Sequence, residues 1–456
     1  SEYQLKEGIY MKNLSQWSSS IGFVLASAGS AIGIGAVWKF PYMAGTYGGG
    51  AFLLIFIIFT LLVGLPLLLS DFVLGRYGRT YSTNIFKKVS GKSSWNLVGW
   101  LGNLTVFVLF SFYSVIGGWI ILYIIRTLLD SFGLTQSHNY GNIFNDYISN
   151  PFYSLASQFA FILFTVVIVS KGVEKGIEKA SKVMMPLLFI SFVIVIIRSI
   201  TLDGALDGIQ YFLQPKVSDL SAEGILYALG QSFFALSLGT CGMMTYASYL
   251  DRKTNIVKSA NAIVWMNIAV SIAAGLAIFP AIFAFGLEPN QGPGLLFIVL
   301  PQVFDQMFVG QLFYLLFLIL FLFAAITSSI SLLELNISNI TKNNNDNRKK
   351  WSYIIGILVF IFGIPSALSN GLLQDFTFGV GTFFDNMDYL VANILMPIGA
   401  LGVTIFVGHI FNKEIIMKEL NMSETKKGRL FVNTWYFLVK FVLPIIIIAV
   451  FIGQLI

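Results

Sequence analysis

Charge, histidine and cysteine are all scarce in this sequence. Aspartate, glutamate, lysine and arginine make up 11% of its 456 residues, against about 25% in a soluble domain. A chain so poor in charge cannot coat the water-facing surface of a large soluble domain. Its one cysteine, Cys241, excludes an intramolecular disulfide. The two histidines, His138 and His409, are far apart and have no cysteine partners, which leaves no metal centre of ordinary type. No motif pairs a nucleophile with a base, so the chain is not expected to be an enzyme. The net charge of +6 is spread over many short loops, which argues against a nucleic-acid partner. Residues 1–18 lack the basic start, apolar core and cleavage site of a signal peptide. They read as a cytoplasmic N-terminal segment, and the first apolar run is expected to act as the insertion signal.

What is abundant is apolar sequence: 56% of the residues are hydrophobic, in runs long enough to cross a bilayer, which takes about 20 residues. Eleven spans are expected, at 20–45, 50–75, 97–129, 152–171, 181–201, 222–249, 259–286, 307–340, 352–371, 377–411 and 431–455. Each must be a helix, because lipid offers no partner to a free backbone group. Lysine and arginine cluster after spans 2, 4, 6, 8 and 10, for example Arg76, Arg79, Lys87 and Lys88, then Lys413, Lys418, Lys426 and Lys427. The positive-inside rule then places those loops and the N-terminus in the cytoplasm and the C-terminus outside, in the cell membrane. Trp17, Trp95, Trp100, Trp351 and Trp435 fall near the expected interfaces, where aromatic belts form.

Two spans carry glycine where a helix should be strongest. Span 1 contains Gly29-Ser30-Ala31-Ile32-Gly33-Ile34-Gly35, and span 6 contains Ser237-Leu238-Gly239-Thr240-Cys241-Gly242. Each glycine weakens a helix by about 1 kcal/mol relative to alanine. Glycine in one membrane helix usually means close packing. Two such runs at matching depth, five spans apart, point instead to two inverted five-helix repeats that each open with a broken helix. The repeats would cover 19–201 and 222–411, with 430–456 as an eleventh helix. A break exposes carbonyls to a cation, and the amides of a half-helix N-terminus to a carboxylate.

The run from Ala28 to Tyr42 (AGSAIGIGAVWKFPY), with Gly48-Gly49-Gly50-Ala51-Phe52, resembles the span 1–2 signature of the neurotransmitter:sodium symporter family, which has the LeuT fold. Gly230-Gln231-Ser232-Phe233-Phe234, Thr245-Tyr246-Ala247-Ser248-Tyr249 and Thr327-Ser328-Ser329 extend the resemblance over nearly the whole chain. The eleven-span form is similar to bacterial members that carry hydrophobic and aromatic amino acids. The resemblance implies an all-α membrane protein that imports an amino acid with sodium, one or two ions, by alternating access. A second sodium site would use the carbonyls of Gly29, Ile32 and Ala324 and the hydroxyls of Thr327 and Ser328. The substrate carboxylate would meet amides near Gly33 and Gly35 and the Tyr113 hydroxyl. Its amine would face carbonyls of Ala31, Phe234 and Ser237. The remaining lining would come from Ser30, Leu109, Thr240, Ser328 and Leu332, with Thr240 leaving room for a large side chain. Family members for biogenic amines carry aspartate where this chain has Gly33, so an amino acid is favoured. Lys39 and Asp388 match an extracellular gate pair under an aromatic lid, Phe234. On the cytoplasmic side, Trp17 and Tyr249 match gate residues, and Gly176 and Pro186 match a Gly-X9-Pro hinge in span 5.

The sequence also departs from the family pattern. Side-chain ligands of the first sodium site fall on Ala36 and Ala235, leaving the Ala31 carbonyl and Asn267. The chloride site keeps Gln231 and Ser271 but has Phe56 and Ala235 in place of its other ligands. The cytoplasmic ion pair falls on Leu14 and Lys342, so another contact must close that side; Lys12 and Asp71 are candidates. A proton-coupled carrier would place a titratable group at the span 8 site, where Thr327 and Ser328 stand. An amino-acid sensor would need a large soluble output domain, and none lies within these residues.

Overall fold

Lipid allows a long apolar run only one self-satisfied backbone, and all but one of the expected runs take it as a long helix. The computed structural model describes residues 15–135, 139–290 and 295–456; Lys12, Leu14 and His138 lie outside them. Among the described residues, ten helices are long and apolar enough to cross a bilayer. Span 1 runs Ser20–Thr46, span 2 Gly50–Gly78, span 3 Ser93–Ser131, span 4 Pro151–Ser170 and span 5 Val173–Ile200. Spans 7 to 11 are Ile256–Ala284, Gly310–Thr341, Arg348–Ala367, Phe383–Ile410 and Lys426–Gly453. The sixth expected crossing is two pieces, Ala222–Ala235 and Gly242–Ser248, each too short to cross alone. Eleven spans were expected, the first and sixth of them broken; ten appear as long helices because the sixth is divided into these two short pieces.

Polar caps mark where the helices begin. Ser19 accepts from the Gly22 amide, Ser221 from Gly224 and Asn255 from Lys258, each at 2.9–3.0 Å. Burial separates centre from periphery. In the most apolar stretch of spans 1, 3 and 8, 78%, 78% and 72% of residues are buried, against 33% in span 5 and 22% in span 11. Span 8 packs along spans 1 and 3, and span 2 lies against both pieces of the sixth segment. The glycine-bearing segments are therefore in the protein's interior, not against lipid.

Both expected breaks are present, with different extents. In span 1 the non-helical backbone is confined to Gly33, at φ 31° and ψ −155°, followed by a π-helical turn at Gly35–Lys39. The reading of Gly29–Gly35 as one loosened stretch is corrected to that point. Gly29 stays helical and serves packing, since a Cβ there would lie 2.7 Å from Thr327 Cβ. In the sixth segment residues 236–241 are unwound, with Ser237, Gly239 and Cys241 at φ 53°, 83° and 64°. Here glycine is required twice: a Cβ on Gly239 would overlap the Met396 carbonyl, and one on Gly399 would overlap the Gly239 carbonyl. The break is thus held backbone to backbone by span 10.

Two tryptophans expected as interface anchors have other roles. Trp435 is buried and donates from Nε1 to the Pro66 carbonyl at 2.9 Å. Trp17 docks on the second piece of the sixth segment, as described below.

Candidate functional site

The two breaks meet span 8 at a group of hydroxyls and carbonyls. Ser328 Oγ donates to the carbonyls of Gly29 and Ser30 on span 1, at 3.1 and 2.8 Å. Thr327 Oγ1 bonds back to its own helix, to Phe323 and Ala324 carbonyls at 2.9 and 3.0 Å. Gly29, Ala324, Thr327 and Ser328 are thus brought together as expected, while the carbonyl of Ile32 accepts from the Gly35 amide. These oxygens now satisfy one another through hydroxyl hydrogens. A hard cation among them would replace O–H···O contacts with oxygen ligation, for which the Thr327 and Ser328 hydroxyls would have to turn.

On the other face of the span 1 break, Tyr113 accepts from the Ile34 amide at 3.1 Å and donates to the Ala325 carbonyl at 3.2 Å. A Cβ on Gly33 would overlap Ser328 Oγ and lie 3.0 Å from the Tyr113 hydroxyl. Gly33 is therefore required by its neighbours as well as by its backbone angles. Gly35 abuts the Phe234 ring, where an added Cβ would lie 3.0 Å from Cδ1, and its carbonyl accepts from Gln231 at 2.8 Å. The sixth segment closes on span 1 through Ser237 Oγ, which donates to the Ser30 carbonyl at 3.0 Å. Ser30 Oγ in turn donates to Ser331 at 2.6 Å. The Phe234 carbonyl accepts from the Ser237 amide at 3.1 Å. The Thr240 hydroxyl donates to the Ser237 carbonyl at 2.8 Å and accepts from the Gly242 amide, so it stabilises the unwound turn. Leu109 and Leu332 are buried, on spans 3 and 8.

Asn267 spans both breaks. Its Nδ2 donates to the carbonyls of Ala31 and Ala235, at 3.3 and 2.8 Å, while its fully buried Oδ1 has no hydrogen-bond partner among the described residues. Gln231 Oε1 and Ser271 Oγ are orphaned in the same way. Buried acceptors without partners are rare; that of Asn267 is what a bound cation would complete.

The two closures around this centre differ. On the Phe234 side, the expected Lys39–Asp388 ion pair is not formed among the described residues. Lys39 instead places Nζ 4.3 Å from the Phe234 ring centroid, beside a cavity of about 50 Å³ walled by Lys39, Gln231, Phe234, Asn393 and Met396. On the side of the basic loops, Trp17 Nε1 donates to the Tyr246 carbonyl at 2.7 Å, and the Trp17 amide to the Tyr249 carbonyl at 3.3 Å. Tyr249 donates to Glu334 at 2.6 Å, and Glu334 is paired with Arg348. Arg348 also donates to the Val169 carbonyl at 2.9 Å. Glu334 and Arg348 are buried. Asp71, a candidate for this closure, is instead buried on span 2 with both carboxylate oxygens unpartnered among the described residues.

A second carboxylate ties the start of span 1 to span 5. Glu178 accepts from the Ser18 amide at 2.9 Å, the Ser18 hydroxyl at 2.7 Å and the Ser19 hydroxyl at 2.9 Å, and pairs with Lys182 at 3.0 Å. A Cβ on Gly22 would overlap this carboxylate, so Glu178 sits at the positive end of the span 1 helix dipole. Glu178 closes a π-helical turn, Val173–Glu178, that contains Gly176, and the helix then runs unbroken through Pro186. The stretch from Gly176 to Pro186 is thus wound throughout.

Glu334, Arg348 and Glu178 were missed by sequence reasoning. For Glu334 the signal was available: it is a lone acid within an apolar span, and an ionisable residue at that depth is functional by default.

The sequence matches the Sodium:neurotransmitter symporter family over residues 14–150 and 149–456. It is 50% identical to the uncharacterized sodium-dependent transporter YhdH of Bacillus subtilis, over 96% of this chain and 97% of that protein. An uncharacterized sodium-dependent transporter of Haemophilus influenzae is 36% identical, covering 97% and 99%. Among solved structures, that of MhsT in complex with L-phenylalanine aligns with a TM-score of 0.89 at 35% identity, covering 96% of this chain and 99% of that one.

Proposed function

This chain belongs to the sodium:neurotransmitter symporter family, and from that premise we propose that it imports a hydrophobic or aromatic amino acid together with sodium. Its fold is the LeuT fold, and it is a sodium-dependent membrane transporter, not an enzyme. The substrate and the site assignments are the proposal. The observation that carries them is the meeting of two interrupted helices at the span 8 hydroxyls, with Ser328 Oγ 3.1 Å from the Gly29 carbonyl. That arrangement offers a sodium ion neutral oxygens from two helices. The Gly33 break offers the amide dipole of a half-helix to a carboxylate.

The second sodium site comprises Gly29, Ile32, Ala324, Thr327 and Ser328. A first would draw on Ala31, the orphaned Oδ1 of Asn267 and the substrate's own carboxylate. Substrate would lie against Ser30, Ala31, Gly33, Gly35, Tyr113, Phe234 and Ser237. Its side chain would point toward Leu109, Thr240 and Leu332. Gly33 supports an amino acid over a monoamine, since an aspartate there would stand where the substrate's carboxylate belongs. The likeness to MhsT, whose structure is a complex with L-phenylalanine, supports the aromatic class. The chain would sit in the cell membrane with its basic loops in the cytoplasm, and each sodium ion would contribute about 2.3 kcal/mol per 100 mV of membrane potential.

Uptake of labelled phenylalanine, tyrosine, tryptophan and leucine into proteoliposomes tests this. Uptake is expected to require an inward sodium gradient, and equal uptake in potassium would reject coupling. Thr327→Ala with Ser328→Ala should raise the half-saturating sodium concentration by tenfold or more, from about 1 kcal/mol for each lost ligand contact. An unchanged sodium dependence would remove the site assignment while leaving the family intact. Gly33→Asp should abolish amino-acid binding in equilibrium dialysis.

A further inference from the structure

Spans 10 and 11 both carry a π-helical turn on the side of the basic loops, at Phe406–Ile410 and Leu438–Val442, and the two turns pack together. Contact is at backbone distance, since a Cβ on Gly408 would lie 2.7 Å from Lys440 Cα. Tyr436 donates its hydroxyl to the Gly408 carbonyl at 2.7 Å, which supplies a partner to one of the carbonyls in the last turn, where the helix ends at Ile410. π turns of this kind concentrate at functional sites.

The consequence of this packing is a cationic cluster on a lipid-facing surface. Lys413 Nζ lies 5.1 Å and Lys440 Nζ 5.6 Å from the centroid of the same Tyr436 ring. His409, packed edge-on to Phe441, is exposed beside them. Neither lysine is in an ion pair among the described residues; the nearest acid in sequence, Glu414, lies at the start of the helix Lys413–Glu419. The neighbours that flank the cluster are apolar: Phe437 is 56% exposed and Phe441 50%. Surfaces like these face acyl chains in a membrane protein. Lys440 belongs to a membrane span, and a cation so placed calls for a counter-charge that lipid can supply.

We propose that Lys413, Lys440 and the Tyr436 ring between them form a binding site for one anionic phospholipid headgroup, from the leaflet on the side of the basic loops. Flanking Phe437 and Phe441 hold its acyl chains, which is why the occupant is a lipid and not a free anion. The site lies on spans 10 and 11, away from the sodium and substrate residues, and does not depend on their assignment.

Native mass spectrometry of the full chain, taken from nanodiscs of equal phosphatidylglycerol and phosphatidylcholine, tests this. Phosphatidylglycerol should be retained over phosphatidylcholine, by about five-fold for each lysine engaged. Lys413→Met with Lys440→Met should remove the preference, and a melting temperature close to that of the unaltered chain checks that the pair folds. Lys426→Gln with Lys427→Gln, at the start of span 11, should leave it intact. High salt should weaken the preference in the unaltered chain, because exposed charges are screened. Overturning results are an unaltered chain with no preference, a methionine pair that keeps it, or displacement of the lipid by excess inorganic phosphate.

Discussion

The closure at Lys39 and the closure at Trp17 are built from different materials. The first is one ammonium resting on the Phe234 ring, with no ion pair among the described residues and a small cavity alongside. The second is a chain in which Trp17 donates to the Tyr246 and Tyr249 carbonyls, and Tyr249 makes a charge-assisted bond to the buried Glu334–Arg348 pair. Glu178 adds a separate clamp on Ser18 and Ser19. A cation on an aromatic face contributes about 0.5–1 kcal/mol where water reaches it. A hydrogen bond to a charged group contributes about 1.5–3 kcal/mol. The contacts named on the side of the basic loops are therefore the tighter set, and those beside Phe234 the lighter.

The largest effect should come from Arg348→Ala, which strands Glu334 in an apolar interior. Breaking a buried pair from one side costs about 3–5 kcal/mol, visible as a lowered melting temperature of the purified protein. Replacing both partners, Glu334→Gln with Arg348→Met, should recover most of that loss. If the single change proves silent, the tight side is not held by this pair. Next comes Glu178→Gln, expected to cost about 1.5–3 kcal/mol and to speed amide hydrogen exchange at residues 18–23 without altering exchange near Phe234. Exchange that rises equally on both sides would mean that Glu178 supports the fold generally. The smallest effect belongs to Lys39→Met, at about 0.5–1 kcal/mol. It should shift the KM for uptake only a few-fold, and a total loss of uptake would show that the light side carries far more than a cation on a ring.

The places where the chain can be read correctly in advance are those with one physical explanation. Gly33 and Gly239 adopt backbone angles at which a side chain is strained, and their neighbours leave no volume for a Cβ. Glycine in an apolar run is therefore close to a direct statement of geometry. Thr327 and Ser328 stand out only through the family resemblance, since adjacent hydroxyls in an apolar helix ordinarily bond to carbonyls of their own helix, as Thr327 does. The ends of the break in span 1 are less legible. Gly29 and Gly33 look alike in sequence, yet one relieves packing against Thr327 and the other permits the kink. Arg348 looks like one more loop charge, because nothing in a basic cluster says which member turns inward; only the span 8 acid it meets decides that. Trp435 is ambiguous for a similar reason, since an indole near a helix end suits either a headgroup or the Pro66 carbonyl.

The seam between Gly239 and Gly399 has no compressible layer. Side chains that interlock can change rotamer when helices slide, but two backbones in direct contact have nothing to rearrange. A shift of the unwound segment against span 10 is therefore opposed at Met396 and Gly399 by backbone, not by side chains that could turn aside.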